Sequence, residues 1–100
     1  MIDTIITAAA DLFGVDRAEL LSQSRRRPVV WARQAAALVA YDCGRVSHGL
    51  GVVAIGEALG GRDHTTISHA RAAATERAVQ SPAYALLLAE LYQAVLVLPV

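Results

Sequence analysis

The sequence predicts an all-α fold, a compact bundle of about six helices, and three observations support this prediction. Alanine is abundant and runs of β-branched residues are short, which favours helix over sheet. Apolar residues make up 55% of the 100-residue chain and recur at helical spacing, which is enough for one ordinary core. Glycines, prolines and short polar residues stand where helices would end. We therefore expect a single domain over residues 1–100.

Each predicted helix is bounded by residues that suit a helix end. Gly14 can take the left-handed cap conformation, Asp16 can cap a short second helix, and Pro28 suits a first turn. Gly60-Gly61 predicts a tight turn, and Ser81 predicts a further N-cap. The predicted helices are Ile2–Phe13, Arg17–Leu21, Pro28–Cys43, Val52–Leu59, Asp63–Gln80 and Pro82–Leu98, with longer loops at Ser22–Arg27 and Gly44–Gly51.

The charges are balanced overall but unevenly distributed. The formal net charge is 0, and all nine basic residues are arginine. Several of them crowd one short stretch in which Glu19 is the only acid, namely Arg17, Arg25, Arg26, Arg27 and Arg33. A basic patch on a neutral body suits a localised anionic partner, although nucleic-acid-binding domains often have a higher isoelectric point.

Cysteine content and the chain termini indicate the compartment. Cys43 is the only cysteine, so no internal disulfide can form, and a reducing compartment is the simpler interpretation. The N-terminus lacks the charged and apolar regions of a secretory signal. The apolar segment Leu86–Val100 contains Glu90 and is too short to span a bilayer. We expect a cytoplasmic protein without membrane association.

The second half of the chain contains a pattern typical of a helix-turn-helix. A short helix at Val52–Leu59 is followed by the turn Gly60-Gly61 and then by a longer helix. That helix opens with Asp63-His64-Thr65-Thr66, short side chains that can bond base edges and phosphates. Its N-terminus also offers free N–H groups to phosphate. The pattern indicates binding to double-stranded DNA.

The residues of this turn carry a family resemblance. The run Gly60-Gly61-Arg62-Asp63-His64-Thr65-Thr66-Ile67-Ser68-His69-Ala70 closely resembles the signature of the C-terminal DNA-binding domain of the bacterial replication initiator DnaA. Three segments that precede this signature occur in the order seen in the family: the loop with Arg25–Arg27, the pair Arg33-Gln34 and the run Ala54–Leu59. The resemblance therefore covers roughly residues 2–80. It implies sequence-specific binding to DnaA-box-like sites in replication origins.

The resemblance also implies which residues contact DNA, and neighbouring arginines are added to the expected contacts. Base contacts are expected from Asp63, His64, Thr65 and Thr66 in the major groove, from Val52 and Val53 on thymine methyl groups, and from Arg25 in the minor groove. Phosphate contacts are expected from Arg27, Arg33, Gln34, Arg62, His69 and Arg71.

The sequence departs from the family in ways that limit its expected chemistry. Ala73 stands where the family has a DNA-contacting lysine, and Arg71 could replace that charge. The loop Gly44–Gly51 is longer than usual for the family. No Walker motif is present, so we expect neither nucleotide nor any other cofactor. No nucleophile–base or carboxylate pair is evident, so we expect no enzyme activity.

Several residues have a second interpretation that the sequence leaves open. Asp63 could accept from a cytosine amino group or simply cap its own helix. His64 and His69 are five residues apart, which aligns poorly for a helical metal site, so we expect no metal. The arginine triplet could be a solvated charge run, and Cys43 is expected to be a buried small apolar residue.

The last helix supports a competing function. Leu86 and Val97 fall off its core-facing side, so this helix could bind another chain, either as a homodimer or in a protein-interaction module. For the DNA-binding interpretation, replication initiation, its regulation and transcriptional control, by a phage protein among others, all remain open. Met1 and the ending Leu98-Pro99-Val100 are compatible with a complete small protein, and a fragment of a larger initiator is the alternative.

Overall fold

The structure, a computed structural model, describes the backbone of residues 1–48 and 51–96 and the side chains of residues 1–44 and 51–96. This part of the chain forms six α-helices and contains no strand, which confirms the all-α prediction. The helices are α1 (Ile2–Phe13), α2 (Arg17–Leu20), α3 (Arg27–His48), α4 (Val52–Ala58), α5 (His64–Gln80) and α6 (Pro82–Leu96).

Helix α3 lies at the centre of the bundle because its side chains are small. The run Ala35–Ala37 and Ala40 are fully buried, so α1 and α5 can both pack closely against α3. Apolar residues of α1 and α6 complete the core, including Ile5, Ile6 and Leu91. The fold thus presents α4 and α5 together on one side of a rigid central helix.

Helix α6 is joined to α3 by two tyrosines. The Tyr84 hydroxyl donates to the carbonyl oxygen of Trp31 over 3.2 Å, and the Tyr92 hydroxyl donates to the carboxylate of Asp42. Burial, followed by the neighbouring Asp42 carboxylate, raises the pKa of Tyr92 well above its ordinary value. These bonds hold α6 against α3.

None of the helices in the described part of the chain combines the length and apolar character that a membrane span needs.

The glycine and serine caps predicted from the sequence are confirmed. Gly14 takes a left-handed conformation with φ 67°, and Gly60 and Gly61 have φ 90° and 79°. The Ser81 hydroxyl accepts from the main-chain N–H of Tyr84 over 3.2 Å, as expected of an N-cap. Local backbone preference therefore determines where α1, α4 and α5 end.

The predicted side-chain cap at Asp16 is wrong. Asp16 occupies the N-cap position of α2, but its side chain makes no capping hydrogen bond. Tertiary contacts hold this short helix instead, because Arg17 donates to the Asp3 carboxylate over 2.9 Å and to the Thr7 hydroxyl over 2.8 Å. A four-residue helix tied to α1 in this way does not depend on its own cap.

The predicted loop Gly44–Gly51 is also wrong over most of its length. Helix α3 continues through Gly44 to His48, and residues 49 and 50 lie outside the described residues. Glycine inside a helix costs only about 1 kcal/mol, and Gly44 is buried, so packing outweighs its poor propensity. Of the predicted Pro82–Leu98 helix, residues 97 and 98 lie outside the described part.

Candidate nucleic-acid interface

Helices α4 and α5 are joined by a turn that only glycine can form. A Cβ atom on Gly56 would lie 2.0 Å from the carbonyl oxygen of Arg62, and one on Gly60 would lie 2.2 Å from that of Leu21. The main-chain N–H groups of Gly61 and Arg62 donate to the Gly56 carbonyl over 3.1 and 2.8 Å. The turn is therefore tight and in direct contact with the segment that follows α2.

The first turn of α5 exposes four polar side chains, Asp63, His64, Thr65 and Thr66. An Asp63 carboxylate oxygen accepts from the Thr66 main-chain N–H over 2.8 Å, which confirms the capping interpretation. This bond holds the pKa of Asp63 below its ordinary value. Contact of Asp63 with a base stays a prediction, and it is compatible with capping because the side chain remains exposed.

Two valines begin α4 beside this surface. The Val53 side chain is 60% exposed, while Val52 is half-buried and packs against the core. Val53 is thus an isolated apolar side chain next to polar ones, a position suited to a methyl group of a partner.

The arginine loop, residues 22–26, places its arginines in different environments. Arg25 is exposed and makes no hydrogen bond or ion pair with the described residues. Arg26 forms a bidentate pair with Glu19, with Nε to Oε2 at 2.6 Å and Nη2 to Oε1 at 2.9 Å. This contact lowers the pKa of Glu19 and raises that of Arg26. Arg25 is therefore the available cation of the loop.

Hydrogen bonds order the loop around Arg25. The Ser24 main-chain N–H donates to the Ser22 hydroxyl over 3.1 Å, and the Ser24 hydroxyl donates to Glu19 Oε2 over 3.1 Å. The Ser22 hydroxyl in turn donates to the Glu19 carbonyl over 2.6 Å. The base of the Arg25 side chain is thereby fixed relative to α2.

Arg33 is buried beneath this loop, with only 8% of its surface exposed. Its Nε donates to the Leu20 carbonyl over 2.8 Å, and its Nη2 donates to the carbonyls of Ser22 and Ser24 over 2.9 and 3.2 Å. Burial, followed by the charge of Arg62, lowers the pKa of Arg33 to about 10, so it stays charged at neutral pH. Arg33 therefore holds the arginine loop by its main chain.

Arg62 reaches the same loop from the turn between α4 and α5. Its Nη2 donates to the Ser22 carbonyl over 2.5 Å, and its Nη1 donates to the Leu59 carbonyl. Two guanidinium groups thus share the Ser22 carbonyl, and both line the cleft between Arg25 and Thr66. The sequence predicts phosphate contacts for Arg33 and Arg62, but nothing in it predicts their hydrogen bonds to main-chain carbonyls.

A groove between α3 and α5 continues from this cleft. It is lined by Gln34 of α3 and by Thr66, His69 and Ala73 of α5. His69 is exposed on its rim, and Gln34 is half-buried in its wall. Both predicted phosphate contacts therefore border one continuous depression that starts at the first turn of α5.

Arg77 lies one helical turn beyond Ala73 on the groove flank of α5, and the sequence analysis missed it. Its Nη1 donates to Gln34 Oε1 over 2.6 Å, and its Cζ lies 4.9 Å from the Trp31 ring centroid and 5.2 Å from that of Tyr84. The available signal was its register, because Arg77 follows Thr66 by three helical turns on the same flank of α5.

The other two predicted phosphate contacts lie apart from the groove. Arg71 is stacked on Tyr41, with its Cζ 3.3 Å from the ring centroid, and it points to the opposite flank of α5 from Ala73. Its Nε is buried and has no hydrogen-bond partner among the described residues. Arg27 is exposed at the start of α3, 6.0 Å from the Trp31 ring centroid. Arg71 therefore does not replace a charge at Ala73.

Metal-binding residues are not clustered in the described part. No group of three or more histidine, cysteine or acidic side chains there could hold a metal ion. Cys43 is half-buried against the core, where burial raises the pKa of its thiol. The predicted burial of Cys43 is therefore only partial, although the residue packs against the apolar core.

The six-helix bundle, the glycine turn and the exposed first turn of α5 define a helix-turn-helix domain. The profile of the family described as bacterial dnaA protein helix-turn-helix matches residues 2–73. The chain belongs to this family, and the resemblance seen in the sequence is confirmed.

Relatives of the chain carry the name chromosomal replication initiator protein DnaA. The protein of Thermomicrobium roseum is 42% identical over 67 residues, which is 67% of this chain and 14% of the relative. The protein of Caulobacter vibrioides is 44% identical over 69 residues, 69% of this chain and 13% of the relative. The protein of Nitrosomonas europaea is 36% identical over 81 residues, 81% of this chain and 17% of the relative. The chain thus spans about one-sixth of these relatives or less.

Proposed function

We propose that the chain is a DNA-binding domain that recognises DnaA-box-like duplexes and carries out no catalytic step. One observation carries this proposal: the exposed first turn of α5 and the arginine loop are joined into one surface by Arg33 and Arg62. A helix of this kind reads base edges in the major groove, and a neighbouring arginine can enter the adjacent minor groove.

In this proposal, the first turn of α5 supplies the base contacts. His64, Thr65 and Thr66 donate to base edges, and Asp63 accepts from a cytosine amino group with the carboxylate that also caps the helix. Val53, with Val52 behind it, contacts thymine methyl groups. All of these residues except Val52 are exposed, so docking requires no unfolding of the helix.

The cations around this surface bind the DNA backbone. Arg25 enters the minor groove, where a narrow A/T-rich segment concentrates negative potential. The phosphate contacts are Arg27, Arg33, Gln34, Arg62 and His69, with Arg71 on the opposite flank. Since Arg33 and Arg62 also bond main-chain carbonyls, their charges would act on phosphate from a fixed position.

The relatives suggest the setting for this binding. They are named as chromosomal replication initiators, so the duplex we propose is a box within an origin or a promoter that contains such a box. Occupying it would act in replication initiation, in its regulation or in transcriptional control, inside the cytoplasm where the chromosome lies.

A fluorescence-anisotropy titration tests the proposal. The chain is titrated into a labelled duplex that contains a DnaA box and into a duplex of the same composition with the box scrambled. We expect the box to bind at least about 1,000-fold more tightly at physiological salt, which is the lower end of specific recognition. Equal affinity for the two duplexes would contradict sequence-specific binding.

A second candidate function is favoured by three exposed apolar side chains that do not line the groove. Val79 is 83% exposed at the end of α5, and Leu86 and Leu96 are 67% and 71% exposed on α6. Such side chains on a neutral surface suit a protein partner or a second copy of the chain. Light scattering tests the second copy: a monomer at all concentrations would exclude a homodimer, and DNA binding that persists in Leu86→Ser would separate this surface from the groove.

A further inference from the structure

Arg77 lies one turn beyond Ala73 on the groove flank of α5 and has no role in the function proposed above. Arg77 donates to the Gln34 side chain over 2.6 Å and lies 4.9 Å from the Trp31 ring centroid. Among the described side chains, it forms no ion pair with a carboxylate. Its positive charge is therefore held in place by an amide and by the two aromatic rings of Trp31 and Tyr84, and none of them neutralises it.

The bond from Arg77 also determines how Gln34 presents its amide. An arginine side chain can only donate hydrogen bonds, so the Gln34 atom that receives this bond is the carbonyl oxygen. The Gln34 Nε2 group remains a donor, and Gln34 lines the groove. A guanidinium and an amide donor lie side by side, an arrangement that suits the oxygens of one phosphate.

The position of Arg77 places this pair along the proposed DNA surface. Arg77 follows Thr66 by eleven residues, so the two lie on the same flank of α5, about 16 Å apart along its axis. Arg33 and Arg62 line the groove together with Thr66, and Arg77 is bonded to Gln34, which also lines it. A backbone strand that follows α5 from Thr66 to Arg77 meets positive charge at both places.

No other arginine of α5 can supply the second charge from this flank. Ala73, one turn before Arg77, is uncharged, and Arg71 is stacked on Tyr41 across the helix. We propose that Arg77, with Gln34, binds a DNA phosphate and forms a second backbone anchor at the C-terminal end of α5. This inference rests on the proposed function, because its ligand is the phosphodiester backbone of the bound duplex.

The first measurement is the salt dependence of binding by Arg77→Gln. Loss of one phosphate contact weakens binding to the box and scrambled duplexes by the same factor, roughly tenfold. It also lowers the slope of log affinity against log salt by about 0.9. The matched control is Arg17→Gln, which removes the same charge by the same exchange but keeps an amide donor near Asp3 and Thr7, and this variant keeps the original slope.

The second measurement locates the contact on the duplex. Each phosphate is replaced in turn by an uncharged methylphosphonate, and the affinity is measured for the unmodified chain and for Arg77→Gln. We expect one position at which neutralisation weakens the unmodified chain but leaves Arg77→Gln unaffected. A third measurement uses the unmodified chain alone: the NMR signal of the Arg77 Nε–H group shifts when the box duplex is added, while that of Arg17 does not.

The outcomes separate the two proposals. If Arg77→Gln keeps both the salt slope and the methylphosphonate profile of the unmodified chain, the anchor is wrong and the DNA-binding function stands. If thermal melting shows that Arg77→Gln is unfolded, an unshifted Arg77 signal in the unmodified chain overturns the anchor. If the unmodified chain binds neither duplex, both proposals fail.

Discussion

Two groups of arginines near the same loop lie in opposite environments. Arg33 and Arg62 are at least partly buried, and their guanidinium groups bond main-chain carbonyls of the loop and the turn. Arg25 and Arg27 are exposed, and neither forms an ion pair with the described residues. Some arginines thus hold the loop in place from beneath, and others present their charge on its outer surface. The number of arginines in a segment therefore does not tell how many of them are free of contacts within the protein.

The comparison predicts its largest effect for Arg33→Ala. This change leaves the carbonyls of Leu20 and Ser24 without their donor and the Ser22 carbonyl with Arg62 alone, so we expect the free energy of unfolding to fall by about 3 kcal/mol. Urea denaturation measures the change. The matched control is Arg25→Ala, which should stay within about 0.5 kcal/mol of the original chain. If the two variants lost equal stability, the distinction between inner and outer arginines would fail.

The next largest effect is a change in DNA affinity that leaves the stability of the fold unchanged. His64→Ala should weaken binding to the box duplex by roughly 1–3 kcal/mol and leave the scrambled duplex nearly unaffected, because a base contact is lost. Ser68→Ala is the control, since Ser68 is exposed on the same helix but faces away from the groove. Equal weakening on both duplexes would argue against base readout by His64.

A smaller effect is expected for Arg25→Ala in a selection of bound duplexes from a random pool. The selected sites should lose their preference for A/T pairs at one end, because the guanidinium no longer enters the minor groove. Preferences at positions assigned to Asp63–Thr66 should not change. Arg26→Ala is the control, because Arg26 is engaged with Glu19. An unchanged selection in Arg25→Ala would remove it from the minor groove.

The smallest effect is on the pKa of Glu19 and on the pH dependence of folding stability that follows from it. Its pKa is lowered by Arg26, so this pair stabilises the folded chain above the ordinary value of 4.5 and ceases to do so as the pH falls through the lowered pKa. An NMR titration should find the Glu19 pKa below 4.5 in the original chain and closer to 4.5 in Arg26→Gln. The same pKa in both would show that the ion pair does not form in solution.

The sequence predicts those parts of the fold that depend on local backbone preference. Gly14, Gly60 and Gly61 take left-handed conformations because a chain turn requires them. Such positions can be predicted from the glycine itself. The end of α3 could not be located in this way. Gly44 is buried, and the stabilisation of a packed helix comes from neighbours that are distant in the sequence.

The candidate site divides along the same line. The exposed run Asp63–Thr66 and the free side chain of Arg25 agree with the sequence interpretation, because they depend on a short motif. The grip of Arg62 on Ser22 spans 40 residues, and the bond from Arg77 to Gln34 spans 43. No local pattern reports such pairs, so the sequence assigned Arg62 only to phosphate and overlooked Arg77.

The bond from Arg62 to Ser22 also makes the surface conditional on the completed fold. Neither partner lies near the other until segments 40 residues apart have met, so a partly folded chain has no arginine loop aligned with the recognition helix. A duplex that binds only the assembled surface therefore stabilises the whole domain by mass action. Chains bound to such a duplex would resist proteolysis and thermal unfolding more than unbound chains do.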